Sequence, residues 1–81
     1  MDEQLVVFAE NSIRVYLSER PDSADTLEGI HRWWILWPGL SESTVVTQIA
    51  LERLESSGEM ESVSVGHQVL WRRPRVIQTA L

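Results

Sequence analysis

Apolar residues recur every three or four positions from Leu5 to Leu54, then every second position from Val63 onward. Leu5, Phe8, Ala9, Ile13, Tyr16 and Leu17 lie on one apolar face at helical spacing, which predicts a first helix over residues 2–18. Asp2 and Glu3 stand at its start, where negative charge complements the helix dipole. Pro21 closes it, because the residue before a proline is steered out of the helical region. Leu27, Ile30 and Trp34 predict a second helix over 26–36, with Trp33 beside that face. Asp25 and Glu28 have the spacing of a capping box, and Pro38-Gly39 is a turn signal. Gly29 inside this helix costs about 1 kcal/mol relative to Ala, a cost that close approach of a neighbouring helix would explain. Val46, Ile49, Ala50, Leu51, Arg53 and Leu54 predict a third helix over 42–57. Ser41 is its expected cap, and Ser57-Gly58 its stop.

Beyond Gly58 the period becomes two. Val63 and Val65 alternate with Ser62 and Ser64, and Val69-Leu70-Trp71 follows Gly66. This predicts a hairpin with strands over 60–65 and 69–73. A three-residue loop, Gly66-His67-Gln68, is the preferred expectation. It sets Val65 opposite Val69, Val63 opposite Trp71 and Glu61 opposite Arg73. A two-residue loop shifts the register by one and sets Leu70 opposite Val63. The tail, residues 76–81, is moderately apolar and is expected either to pack on the first helix or to fray.

A length of 81 residues with 43% hydrophobic positions suits one domain spanning 1–81, with little stability to spare. The absence of cysteine excludes disulfides and thiolate metal sites. No apolar run approaches the ~20 residues that span a bilayer. The acidic start is unlike a secretory signal, so a cytoplasmic location is expected, with no membrane partner. The formal net charge is −5, and all seven basic residues are arginine. All twelve acids lie in residues 1–61, whereas residues 62–81 hold Arg72, Arg73 and Arg75 and no acid.

The stretch Ala50-Leu51-Glu52-Arg53-Leu54-Glu55-Ser56-Ser57-Gly58-Glu59-Met60 resembles the closing turn of the third helix in the winged helix-turn-helix superfamily. There an Ala-Leu pair and a Leu end the helix, a Gly turns the chain, and an apolar residue enters the first wing strand. The resemblance covers nearly the whole chain. It implies a mainly α fold with a small β-hairpin (α+β), a three-helix winged helix-turn-helix domain. In DNA-binding members the third helix reads base edges and the wing touches phosphate or the minor groove. The resemblance then draws a groove face from Ser41, Ser43, Thr44, Thr47, Gln48, Glu52 and Glu55, with Arg53 the one cation on the helix. Ser, Thr and Gln can contact bases. Arg72, Arg73 and Arg75 would hold the backbone, or else pair with carboxylates such as Glu61. Net acidity opposes association with nucleic acid.

Trp33, Trp34 and Trp37 crowd into five residues. At helical spacing Trp33 and Trp37 share a face and Trp34 points away. They are either core anchors with partial cover or an exposed aromatic patch for a protein partner, since Trp is enriched in interface hot spots. Trp71 is expected to pack across the hairpin. Glu28 and His31 are three apart, but no second carboxylate–histidine pair accompanies them, so no metal, cofactor or small-molecule ligand is expected. No nucleophile elbow and no Gly-rich phosphate loop is present, and no enzyme is expected. The sequence thus points first to a non-catalytic protein–protein interaction or adaptor module, acting alone or as a homodimer, through Trp33, Trp34 and Trp37. The alternative is a DNA-binding transcriptional regulator using Thr44, Thr47, Gln48, Arg53, Arg72, Arg73 and Arg75.

Overall fold

A computed structural model describes residues 2–40 and 42–75. It is a small α+β domain of three helices and a three-stranded antiparallel sheet. Helix α1 spans Glu3–Glu19, strand β1 is Ala24–Asp25, and helix α2 begins at Leu27–Gly29 and continues as a π-helical turn, Ile30–Trp34. Helix α3 spans Thr44–Ser56, and strands β2 (Glu61–Val65) and β3 (Gln68–Arg72) form the hairpin.

Asp2 caps α1, its carboxylate accepting the Gln4 N–H at 2.9 Å. The buried face of α1 is Val6, Ala9, Ile13 and Leu17. Phe8, expected on that face, lies outside it, and Val6 takes the inner position. Against this face pack Ile30, Trp34 and Ile35, the α3 residues Val46, Ala50, Leu51 and Leu54, and Met60 and Trp71 at the sheet. Arg53, placed by its spacing on the apolar face of α3, is exposed instead and bonds to Glu3.

The start of α2 differs from expectation. Thr26 is the cap, accepting the Gly29 N–H at 3.2 Å, while the Asp25 carboxylate accepts the Thr26 N–H at 2.8 Å. Asp25 is held in an extended strand paired with Trp71, so the helix can begin only after it. The neighbour that a side chain at Gly29 would crowd is the Asp25 carboxylate and not another helix. Ser43 caps α3 through the Val45 N–H at 3.1 Å; Ser41, the expected cap, lies outside the described residues, as does the tail 76–81. Gly58 ends α3 at φ +82, with the Glu59 N–H bonded to the Leu54 carbonyl and the Gly58 N–H to the Glu55 carbonyl. This double bond pattern satisfies carbonyls that a helix end leaves open.

The hairpin takes the two-residue loop. Gly66 adopts φ +61 and no non-glycine residue has positive φ among the described residues, the arrangement of a type II′ turn with Gly first. Val65 therefore faces Gln68, Val63 faces Leu70, Ser62 faces Trp71 and Glu61 faces Arg72. The expected Val63–Trp71 and Glu61–Arg73 pairs do not form. Strand β1 was not expected at all; it pairs Ala24 with Arg72 and Asp25 with Trp71, making β3 central in the order β1-β3-β2.

Candidate functional site

The three clustered tryptophans have three different environments. The turn Ile30–Trp34 is π-helical, with an i→i+5 pattern; Ile30, His31 and Trp34 are buried on its inner side and Arg32 and Trp33 lie outside. Trp34 is 4% exposed and stacks on Tyr16 at 4.4 Å with a 12° interplanar angle. Trp33 is 69% exposed. Ile35 is extended, which ends the helical register before Trp37. Trp37 is half-buried, its Nε1–H donating to the His31 carbonyl at 3.0 Å and its ring tilted against His31 and Phe8. Trp33 and Trp37 therefore do not share a face as helical spacing would have them.

Trp33 opens onto a surface groove of about 680 Å³ between α1 and α2. Its apolar walls are Phe8, Val15, Tyr16, Trp33, Trp34 and Leu36. Val15 is 59% exposed and Leu36 84%. Leu40, further along the same loop, is 94% exposed. Among the described residues, the charged ones that line the groove are Glu19 and Arg20, paired at 3.5 Å. Arg20 also lies over the Tyr16 ring, 4.8 Å from its centroid, so its apolar stem and cation extend the aromatic floor. Burying a side chain such as Leu or Val on docking contributes about 1.5–3 kcal/mol. Sequence reasoning missed Phe8, Val15 and Leu36. Phe8 has the helical spacing of a core residue, and a lone exposed valine or leucine carries no local signal.

The candidate nucleic-acid residues are dispersed. Thr47 is fully buried, its hydroxyl 2.6 Å from His31 Nδ1. Thr44 is exposed, and Gln48 is half-buried in a groove with Glu28, Gln68 and Val69. Arg53 donates through two nitrogens to Glu3, one bond at 2.8 Å, and these bonds hold the Glu3 carboxyl below its ordinary value. Arg72 donates to Glu61 at 2.7 Å. Arg73 and Arg75 are exposed beside Asp22. Glu52 and Glu55 are exposed on α3, and Glu55 accepts from the Ser62 hydroxyl at 3.0 Å.

His31, with its ring bonded to Thr47, is separated in environment from the exposed Glu28. Among the described residues no three His, Cys, Asp or Glu side chains converge to hold a metal ion. Among the described residues no buried side-chain polar atom lacks a hydrogen-bond partner, and no helix is long and apolar enough to cross a membrane. A scan against protein-family models, a search of curated proteins and a search of solved structures each gave no match.

Proposed function

We propose that this chain is a non-catalytic winged helix-turn-helix domain that works as a protein–protein interaction module. The observation that carries the reading is the groove walled by Phe8, Val15, Trp33 and Leu36, an exposed aromatic and aliphatic surface with balanced charge. Three helices followed by a hairpin, with β1 completing the sheet, support the winged-helix part. Trp33 is the anchor, because a mostly exposed Trp has most to gain from burial in a partner. Trp37 supports the wall from behind through Phe8, and Trp34 belongs to the core that shapes it.

Reading DNA through α3 and the hairpin end is the weaker proposal. Thr47 is inside, Arg53 and Arg72 already serve carboxylates, Glu28 lines the groove beside Gln48, and Glu52 and Glu55 are exposed on α3. The test uses the immobilised chain and its native-host lysate. Wild type should retain a protein that Trp33→Ser and Leu36→Ser both lose, while the Arg72→Ala, Arg73→Ala, Arg75→Ala triple variant keeps it. Salt-sensitive DNA binding abolished by the triple variant, with no protein lost on Trp33→Ser, would falsify the interaction reading.

A further inference from the structure

Strand β2 lies at one edge of the sheet, because β3 is central in the order β1-β3-β2. The register fixes which of its backbone groups point away from β3. Val65 and Gln68 flank the two-residue turn and exchange both backbone bonds, so Val63 with Leu70 and Glu61 with Arg72 are hydrogen-bonded pairs as well. Ser62 and Ser64 stand between those pairs, and their N–H and C=O groups point to the open edge. Among the described residues neither finds a backbone partner there. Such an edge is commonly blunted by a Lys, a Pro or a bulge. β2 reads Glu61-Ser62-Val63-Ser64-Val65 and pairs one for one with β3, so it carries none of the three.

The ends of β2 restrict how a further strand can be added. The Met60 N–H is already given to the Leu54 carbonyl at 3.1 Å, and Gly66 leaves the extended conformation at φ +61. An incoming strand is therefore held by Ser62 and Ser64. An antiparallel copy of β2 centred on Val63 meets both at once. Ser62 pairs with the partner's Ser64, and Ser64 with the partner's Ser62, each pair exchanging both N–H···O bonds. Val63 then faces the partner's Val63 in the closer, non-hydrogen-bonded type of pair. Glu61 faces the partner's Val65, which keeps the two Glu61 carboxylates apart. Each Glu61 is also answered by its own Arg72 at 2.7 Å. The opposing force is the net charge of −5, together with Glu55, which accepts from the Ser62 hydroxyl at 3.0 Å. Salt screens repulsion of this kind.

We propose that β2 pairs with β2 of a second copy of this chain, antiparallel about a two-fold axis at Val63, joining the two sheets into one. This edge is separate from the groove beside Trp33, and the pairing does not depend on what the groove binds. A single strand pair is smaller than the roughly 20–30 residues a side of a lasting interface, so the dimer forms as concentration rises. Mass by light scattering should double with concentration, and the doubling should come at lower concentration when salt is added. Ser64→Pro removes an outward N–H and no bond of the hairpin, and should hold the chain at the monomer mass with an unchanged circular dichroism spectrum. Val63→Lys and Val63→Glu should each be monomeric alone, because the axis sets like charges opposite. Mixed together they should dimerise, which also shows that both chains are folded. Trp33→Ser should leave the dimer intact. A wild type that stays monomeric at every concentration overturns the proposal, as does a dimer that survives Ser64→Pro or is lost with Trp33→Ser. If Ser64→Pro alters the spectrum, the mixture decides, and a mixture that stays monomeric overturns the pairing.

Discussion

Thr47 shows how far one side chain's direction matters. By type it belongs with Ser43, Thr44 and Gln48 as a polar face of α3. It lies four residues before Leu51 and seven before Leu54, both buried, and shares their stripe. That spacing was the available signal, and the hydroxyl masked it. Its partner is the His31 ring, buried on the inner side of the π-helical turn. A buried polar group that loses its partner costs about 1–3 kcal/mol. Thr47→Val should therefore lower the stability measured by urea unfolding by that amount, and Thr47→Ser should cost less because the hydroxyl remains. An unchanged midpoint in Thr47→Val would show that the His31 bond contributes nothing. Trp33 and Trp34 make the same point: adjacent residues of one type differ from 69% to 4% exposure, and the helical spacing of Trp34 from Leu27 and Ile30 is what sets it inward.

Among the elements, α1 and α3 and the hairpin were legible because each repeats its pattern over several periods. Strand β1 was not, since Ala24–Asp25 is too short for any alternation and exists only because β3 offers it an edge. Its presence then decides how α2 begins. Asp25 is held extended, its carboxylate takes the Thr26 N–H, and that carboxylate occupies the space where a Gly29 side chain would sit. Gly29 has ordinary helical φ and ψ, so backbone freedom is not the reason for glycine. Ala would gain about 1 kcal/mol of helix propensity but crowd Asp25 at about 1–3 kcal/mol. Gly29→Ala should be net destabilising in urea unfolding. In an Asp25→Ala background the same substitution should become stabilising, by about 1 kcal/mol; a loss in both backgrounds would refute the Asp25 explanation. The hairpin register depended on one residue. Gly66 at positive φ favours the shorter loop, and a shift of one residue moved the partner of Glu61 from Arg73 to Arg72.

At the scale of the molecule, exposed ion pairs tie α1 to the elements packed on it. Arg14 reaches Glu59 beyond the end of α3 at 2.7 and 3.0 Å, and Arg53 reaches Glu3. The Arg14 guanidinium first, and the Ser57 hydroxyl second, hold the Glu59 carboxyl down at about 2. A depressed carboxylate stabilises the fold fully above its unfolded value of 4.5, and the contribution is lost as pH falls from there toward about 2. Both partners are more than a third exposed, so water screens the pair and its contribution is at most about 1 kcal/mol. Wild type should exceed Arg14→Ala in urea midpoint at neutral pH, and the gap should close across the acid range. A gap that stays constant to pH 2 would place the effect of Arg14 in packing instead of charge. The pattern of charge also limits what the molecule can meet. The twelve acids all lie within residues 2–61, and the charged residues that line the groove beside Trp33, Glu19 and Arg20, balance each other.

The sequence by itself determined three helices, their order, the Gly58 stop and a closing hairpin. Those features depend on neighbours within a few residues along the chain, and local periodicity and backbone sterics report them. The tertiary structure alone decided the third strand, the bond between His31 and Thr47, and the half-buried place of Trp37. It also gathered Phe8, Val15, Trp33 and Leu36 into one groove. Each of those outcomes rests on contacts between residues distant in sequence, where packing selects among side-chain directions that local pattern leaves equivalent.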